Sequence, residues 1–298
     1  MTCKNVLAPC KSGDAARGGE LAKTSSRSGP TGVLPHILRL VRSFASVRGV
    51  RGLIGEARSI GTHVLHYPLG VVPVPIRDNN IAVSHKKVHQ TPVVVVHGYF
   101  HNRSGFDFMS HELRTRGYRW VHGMNYNPIR SSVPDLAERF AVSVRDVMEV
   151  SGAEKVHVVG HSLGGVIARW FVQELEGYKV TDTCVTIGTP HHGTLPAYLG
   201  FGPAARDMRP GSEVVKRLEQ RFRRFTEVHF VNLYSDLDVL IIPPSSGVLP
   251  ERPNVHNHLI EDLGHTSLLL SPALVDAVCS HLEHKNGMPK TKGLSETA

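Results

Sequence analysis

The sequence predicts an α/β fold: a mostly parallel central sheet with helices on both faces. Three observations carry that prediction. Short apolar runs recur from residue 70 onward at intervals of roughly 20–40 residues. Helix-period patterns fall between them. The run at 92–98 is β-branched and flanked by polar residues, as expected of a strand buried on both faces.

Taken in order, residues 1–33 are rich in Gly, Ser, Lys and Arg, show no apolar period, and read as a disordered basic tail. Residues 34–69 read as a basic amphipathic helical segment, clearest over 34–58. There Leu34, Ile37, Leu38, Val41 and Phe44 follow one helix face, and Arg39, Arg42, Arg48, Arg51 and Arg58 supply a basic side. Two readings fit this segment: a helix packed on the main domain with its arginines in solvent, or a helix lying on an anionic membrane. A targeting presequence is a third. The main domain is expected over 70–285, with a flexible tail over 286–298. Its strands are expected at 92–98 (PVVVVHG), 119–126 (RWVHGMNY), 155–160 (KVHVVG), 182–188 (DTCVTIG) and 228–234 (VHFVNLY). Helices are expected at about 105–116, 133–150, 163–176, 212–224 and 271–284, the last opened by Pro272. Residues 194–211, rich in Gly, Pro and Ala, read either as a short lid-like insertion or acyl-pocket wall, or as an inert connection.

Composition narrows the function. The chain has 298 residues, 41% of them hydrophobic, enough for one large α/β domain or two small ones. Its net charge of +8 is concentrated at one end: residues 1–60 hold ten Lys/Arg against three Asp/Glu. The rest is nearly neutral, which argues against a nucleic-acid-binding core. No apolar run approaches the ~20 residues of a membrane-spanning helix, and the apolar centre of a secretory signal is not evident. The four cysteines (Cys3, Cys10, Cys184, Cys279) lack metal-ligand spacing and read as free thiols, which suits a reducing compartment. A cytoplasmic or peripherally membrane-associated location is expected.

The segment VHVVGHSLGGVIARWFVQEL places Ser162 between a strand and an amphipathic helix, inside G-H-S-L-G. That strand–turn–helix setting gives the G-x-S-x-G pattern its meaning. The tight turn strains the serine backbone, and Gly160 and Gly164 leave room for it. The turn lifts the Ser162 hydroxyl above the sheet edge at the positive end of a helix. A serine needs a base to take its proton. His265, in a Gly-flanked loop after the last strand, is the candidate, while His256 and His258 read as part of the preceding strand. An oxyanion hole needs two backbone N–H groups, for which Leu163 and Tyr99 are the candidates. His97 reads as a loop-organising residue. His191 and His192 in TPHHGT read as polar lining of a loop near the active site, with a metal as the alternative.

Together the pieces VVVVHGY, VVGHSLGG, TIGTPHHGT, YSDLDVLI and GHTSLLLSP, spanning residues 92–272, resemble the bacterial triacylglycerol lipase and esterase branch of the α/β-hydrolase family. The resemblance implies the α/β-hydrolase fold, Ser162 as nucleophile, His265 as base and an acid from YSDLDVLI. It favours Asp238 over Asp236, because the acid of such lipases precedes an apolar pair. It also implies an acyl-ester or lipid substrate, no cofactor, and secretion as an alternative location. An acyltransferase or thioesterase on the same triad, or an inactive hydrolase fold used for binding, are the alternatives. The chain departs from the pattern in its basic N-terminal region and in carrying Tyr99-Phe100 where a glycine run is found in relatives.

Overall fold

The computed structural model describes residues 46–72, 74–79 and 88–283. The expected tails at 1–33 and 286–298 lie outside these residues, as do Leu34, Ile37, Leu38, Val41 and Phe44.

The first described element is helix α1 (Val47–Val71), with the Ser46 hydroxyl capping Gly49 N–H. Strand β1 (Val93–Val96) leads through a 3₁₀ turn into α2 (Asp107–Thr115), followed by β2 (Val121–Met124) and α3 (Val133–Ser151). A capping box between Ser132 and Asp135 starts α3, and Gly152, at φ 68°, ends it. Strand β3 (Val156–His161) runs into α4 (Leu163–Glu174), followed by β4 (Thr181–Ile187), a short α5 (Gly202–Asp207) and α6 (Glu213–Arg221). Strand β5 (His229–Tyr234), β6 (Val255–Leu259) and α7 (Pro272–Leu282) complete the order.

All six strands are parallel, in the order β2-β1-β3-β4-β5-β6. The sequence of β1 explains its central place. Val94 and Val96 join one core with α3 and α4, while Val93 and Val95 join the opposite core with α2 and α7. A strand with both faces buried cannot alternate polar and apolar residues. Each such valine contributes roughly 1.5–3 kcal/mol of transfer free energy. Helix α4 is buried almost all round, as a helix against the middle of the sheet must be.

Two expected segments can be compared with the structure. The helix expected over 34–58 is described from Val47 and continues to Val71. The face it turns to the domain is small and polar rather than apolar: Gly52, Ser59, His63 and Gly70 are buried, whereas Val50, Leu53, Ile54, Ile60, Val64 and Leu65 are 48–78% exposed. Arg51 and Arg58 are exposed. The segment 194–211 folds as a 3₁₀ turn (Leu195–Tyr198) and α5, and forms one wall of a cavity.

Candidate active site

Strand β3 ends beside β1 and β4 in the middle of the sheet, and the chain must reverse at once to begin α4. Ser162 makes that reversal at φ 55°, ψ −121°, a conformation costly for a residue with a side chain. The glycines around it are a spatial necessity. A Cβ on Gly160 would lie 2.4 Å from Gly164 O, and one on Gly164 would lie 2.0 Å from Val96 O. The N-terminal end of α4, the positive end of its dipole, begins directly after Ser162.

His265 enters from the loop before α7. Its Nδ1–H donates to Asp238 Oδ2 over 2.7 Å, with both side chains nearly inaccessible to solvent. Asp238 Oδ1 also accepts from Leu240 N–H (2.9 Å) and Ile241 N–H (3.2 Å). These bonds fix the carboxylate on its own loop. The chain turns after β5, and this separates the two aspartates: Asp236 is exposed and accepts from Asp262 N–H at 3.1 Å. Burial alone would lower the His265 pKa. The Asp238 carboxylate, by charge and hydrogen bond, and then the charge of Glu56, outweigh it and raise the value above the ordinary 6.5.

Ser162 and His265 open onto one cavity of about 280 Å³, together with Gly98 and Tyr99. The cavity wall is otherwise largely apolar, including Pro196, Leu199, Met208, Leu240 and Ile241. Tyr99 adds a contact invisible in the sequence. Its hydroxyl donates to Phe201 O and accepts from Phe201 N–H (3.0 Å), joining the loop after β1 to the 195–202 wall.

The surrounding histidines are structural and neutral. His97 donates from Nδ1 to Gly98 O (2.8 Å) and stacks on Tyr126; burial lowers its pKa to about 4. His161 donates from Nε2 to His265 O (3.1 Å), tying the Ser162 turn to the His265 loop, and burial holds its pKa well below 6.5.

His191 and His192 do not line the cavity, contrary to expectation; Pro190 does. His191 is buried behind it. Its Nδ1 accepts from Arg169 Nη1 (3.1 Å) and its Nε2–H donates to Asn232 Oδ1 (3.0 Å). His192 faces Glu219 at 2.5 Å. The physical reason is that Arg169 on α4 is fully buried and needs acceptors, which Gln173 Oε1 (3.1 Å), Leu218 O (3.3 Å) and His191 supply.

Sequence reasoning missed Glu56. Its carboxylate accepts from Thr266 N–H (2.8 and 3.1 Å), Thr266 Oγ–H (3.0 Å) and Ser267 N–H (2.9 Å), immediately after His265. One signal was present: Glu56 is the only acidic residue between Glu20 and Asp78.

Comparison with known proteins agrees with this architecture. Residues 90–218 match the family model for lipase (class 2), a segment that holds Tyr99, Ser162 and Leu163. The Bacillus licheniformis lipase BlEst2 in its mature form superposes with a TM-score of 0.59 at 18% identity, over 71% of this chain and 98% of that one. Aspergillus fumigatus lipase B gives 0.59 at 20% identity, over 68% of this chain and 55% of that one. The lin2722 product of Listeria innocua gives 0.52 at 15% identity, over 67% and 96%. The chain has the α/β-hydrolase fold of these proteins, and the family match supports a carboxylic ester hydrolase.

Proposed function

With that fold and the lipase match as premise, we propose that the protein is a serine carboxylic-ester hydrolase acting on acyl esters of lipid type. One observation carries the reading: a serine strained at φ 55° shares an apolar cavity with a histidine whose other ring nitrogen is 2.7 Å from a buried carboxylate. Ser162 Oγ attacks the ester carbonyl carbon while His265 Nε2 takes its proton. Asp238 holds the tautomer in which Nε2 is free to accept, and stabilises the imidazolium that forms. The N–H groups of Tyr99 and Leu163 receive the oxyanion. His265 then protonates the departing alcohol, and water, activated by the same imidazole, releases the acid. The apolar wall receives the acyl chain. No step calls for a cofactor.

Short- and long-chain nitrophenyl esters test the reading directly. Wild type should hydrolyse them and Ser162→Ala should not; equal activity in both would remove Ser162 as nucleophile. Acyl-thioesters and added alcohol acceptors, run alongside, separate a thioesterase or acyltransferase from a hydrolase.

A peripheral lipid contact belongs to the same proposal, now placed on α1 rather than on residues 34–58. Its exposed stripe of Val50, Leu53, Ile54, Ile60, Val64 and Leu65 runs at helical spacing beside the exposed Arg51 and Arg58. Wild type should sediment with anionic vesicles and a Leu53→Glu/Ile60→Glu/Val64→Glu variant should remain in solution. Equal sedimentation would sink the contact and leave the hydrolase reading intact.

A further inference from the structure

Helix α1 lies outside the segment matched by the lipase model, yet it contacts the loop that carries His265. Three features of its inner face make the approach close. A Cβ on Gly52 would lie 2.5 Å from Leu237 Cδ1, and one on Gly70 would lie 1.9 Å from Asn102 Oδ1. Between them Glu56 reaches the 264–267 loop, where a Cβ on Gly264 would lie 2.3 Å from Glu56 Oε2. The loop in turn leaves its N–H groups turned to the helix. Four contacts at 2.8–3.1 Å, all from donors to two carboxylate oxygens, are an acceptor-only arrangement.

We propose that Glu56 is a positioning residue for the catalytic base: its carboxylate pins Thr266 and Ser267, and through them holds His265 over Ser162. The proposal rests on the Ser162–His265 reading. Two anchors already act on His265, the Asp238 carboxylate on its ring and the His161 ring on its carbonyl oxygen. Neither bonds Thr266 Oγ1–H or Ser267 N–H, the donors that follow His265; Glu56 accepts from both, and from the N–H of the peptide whose carbonyl His161 holds. Its charge has a second effect. Glu56 adds to Asp238 in favouring the imidazolium, while His161 and His101, facing from the nucleophile turn and the loop after β1, are buried and neutral at ordinary pH. His63, on the same face of α1 as Glu56, is also shifted below its ordinary value, by burial first.

An amide in place of the carboxylate tests this. The side chain introduced by Glu56→Gln has one acceptor oxygen, so its NH₂ must face a backbone N–H that the carboxylate had accepted. Misplacement of a base by a fraction of an ångström to an ångström costs about 10- to 100-fold in turnover. Glu56→Gln should therefore lower kcat by about tenfold with KM for a soluble ester changed by less than about threefold, and Glu56→Ala should lose about 100-fold. The acid limb of the kcat/KM profile should move to lower pH in Glu56→Gln, because the charge that favours protonated His265 is gone. A residue that only supports the fold would lower thermal stability and leave that limb in place. If Glu56→Ala fails to fold, Glu56→Gln decides alone, because it preserves size and shape. A folded Glu56→Gln with wild-type kcat and an unmoved limb overturns the proposal. Failure of the hydrolase reading is distinguishable, since wild type itself would then lack Ser162-dependent activity.

Discussion

Replacing Asp238 by Asn changes one atom and should disable the site. In wild type the carboxylate accepts from Leu240 N–H, Ile241 N–H and His265 Nδ1–H at 2.9, 3.2 and 2.7 Å. The first two bonds go to Oδ1 and the third to Oδ2. An asparagine keeps its carbonyl oxygen on the two backbone N–H groups, so its NH₂ replaces Oδ2 and faces the imidazole. Nδ1 must then accept, and the ring proton moves to Nε2, the atom that has to take the Ser162 proton. The Asp238–His265 contact itself is buried on both sides, so no solvent molecule takes the place of Oδ2 at Nδ1. The loss should be about 10³- to 10⁴-fold in kcat, roughly 4–5.5 kcal/mol of transition-state stabilisation. Nitrophenyl ester hydrolysis under saturation measures it, with circular dichroism to verify folding. Asp236→Asn is the control: that carboxylate is exposed, and activity should stay within about threefold of wild type. A loss below about tenfold in folded Asp238→Asn would refute the tautomer argument, and a larger loss in Asp236→Asn would exchange the roles of the two aspartates.

Other consequences follow from the same geometry. The acid limb of the wild-type kcat/KM profile should lie above pH 6.5, because His265 must be neutral to act as base and its pKa is raised; a limb below that value would contradict the ion pair with Asp238. Gly164→Ala would drive a methyl group to 2.0 Å from Val96 O, so the variant should fail to fold or lose activity together with its melting transition; a stable, active Gly164→Ala would show the turn to be more open than described. Phe140→Ala empties a fully buried position that packs edge-on against Phe171 and should cost about 3–5 kcal/mol in denaturant unfolding; below about 1 kcal/mol the packing of α3 on α4 would be misjudged. Tyr99→Phe keeps the backbone N–H but removes the bonds to Phe201, so KM for long-chain esters should rise while the activity on acetate esters holds; unchanged KM across chain lengths would leave the Tyr99–Phe201 contact without a role in binding.

The middle of the sheet was legible because inner strands such as β1 and β3 are buried on both faces, whereas β6 is largely half-buried or exposed and shows no such run. A run such as Val93–Val96 has no other stable use in a chain of this length, and the glycines around Ser162 mark a turn that few other structures require. Asp238 and His265 were legible as candidates through their order along the chain and their resemblance to known lipases. Their unequal neighbours were hidden, since an aspartate two residues away looks equivalent until the backbone turns after Tyr234. The helix itself was legible, but the residues through which α1 meets the domain were not. An apolar stripe normally faces the domain, but here glycine, serine, histidine and one glutamate do so, and the stripe stays in solvent. The partners of Glu56 lie 210 and 211 residues away, beyond any local pattern. His191 was misplaced because the demand it satisfies comes from Arg169 on another element.

The central claim is that Ser162 is the nucleophile, and covalent labelling tests it most directly. Wild type treated with a fluorophosphonate and digested should carry the adduct on Ser162, with hydrolysis lost in step with labelling. Folded protein that takes no label, or takes it at another residue while activity persists, would contradict the account.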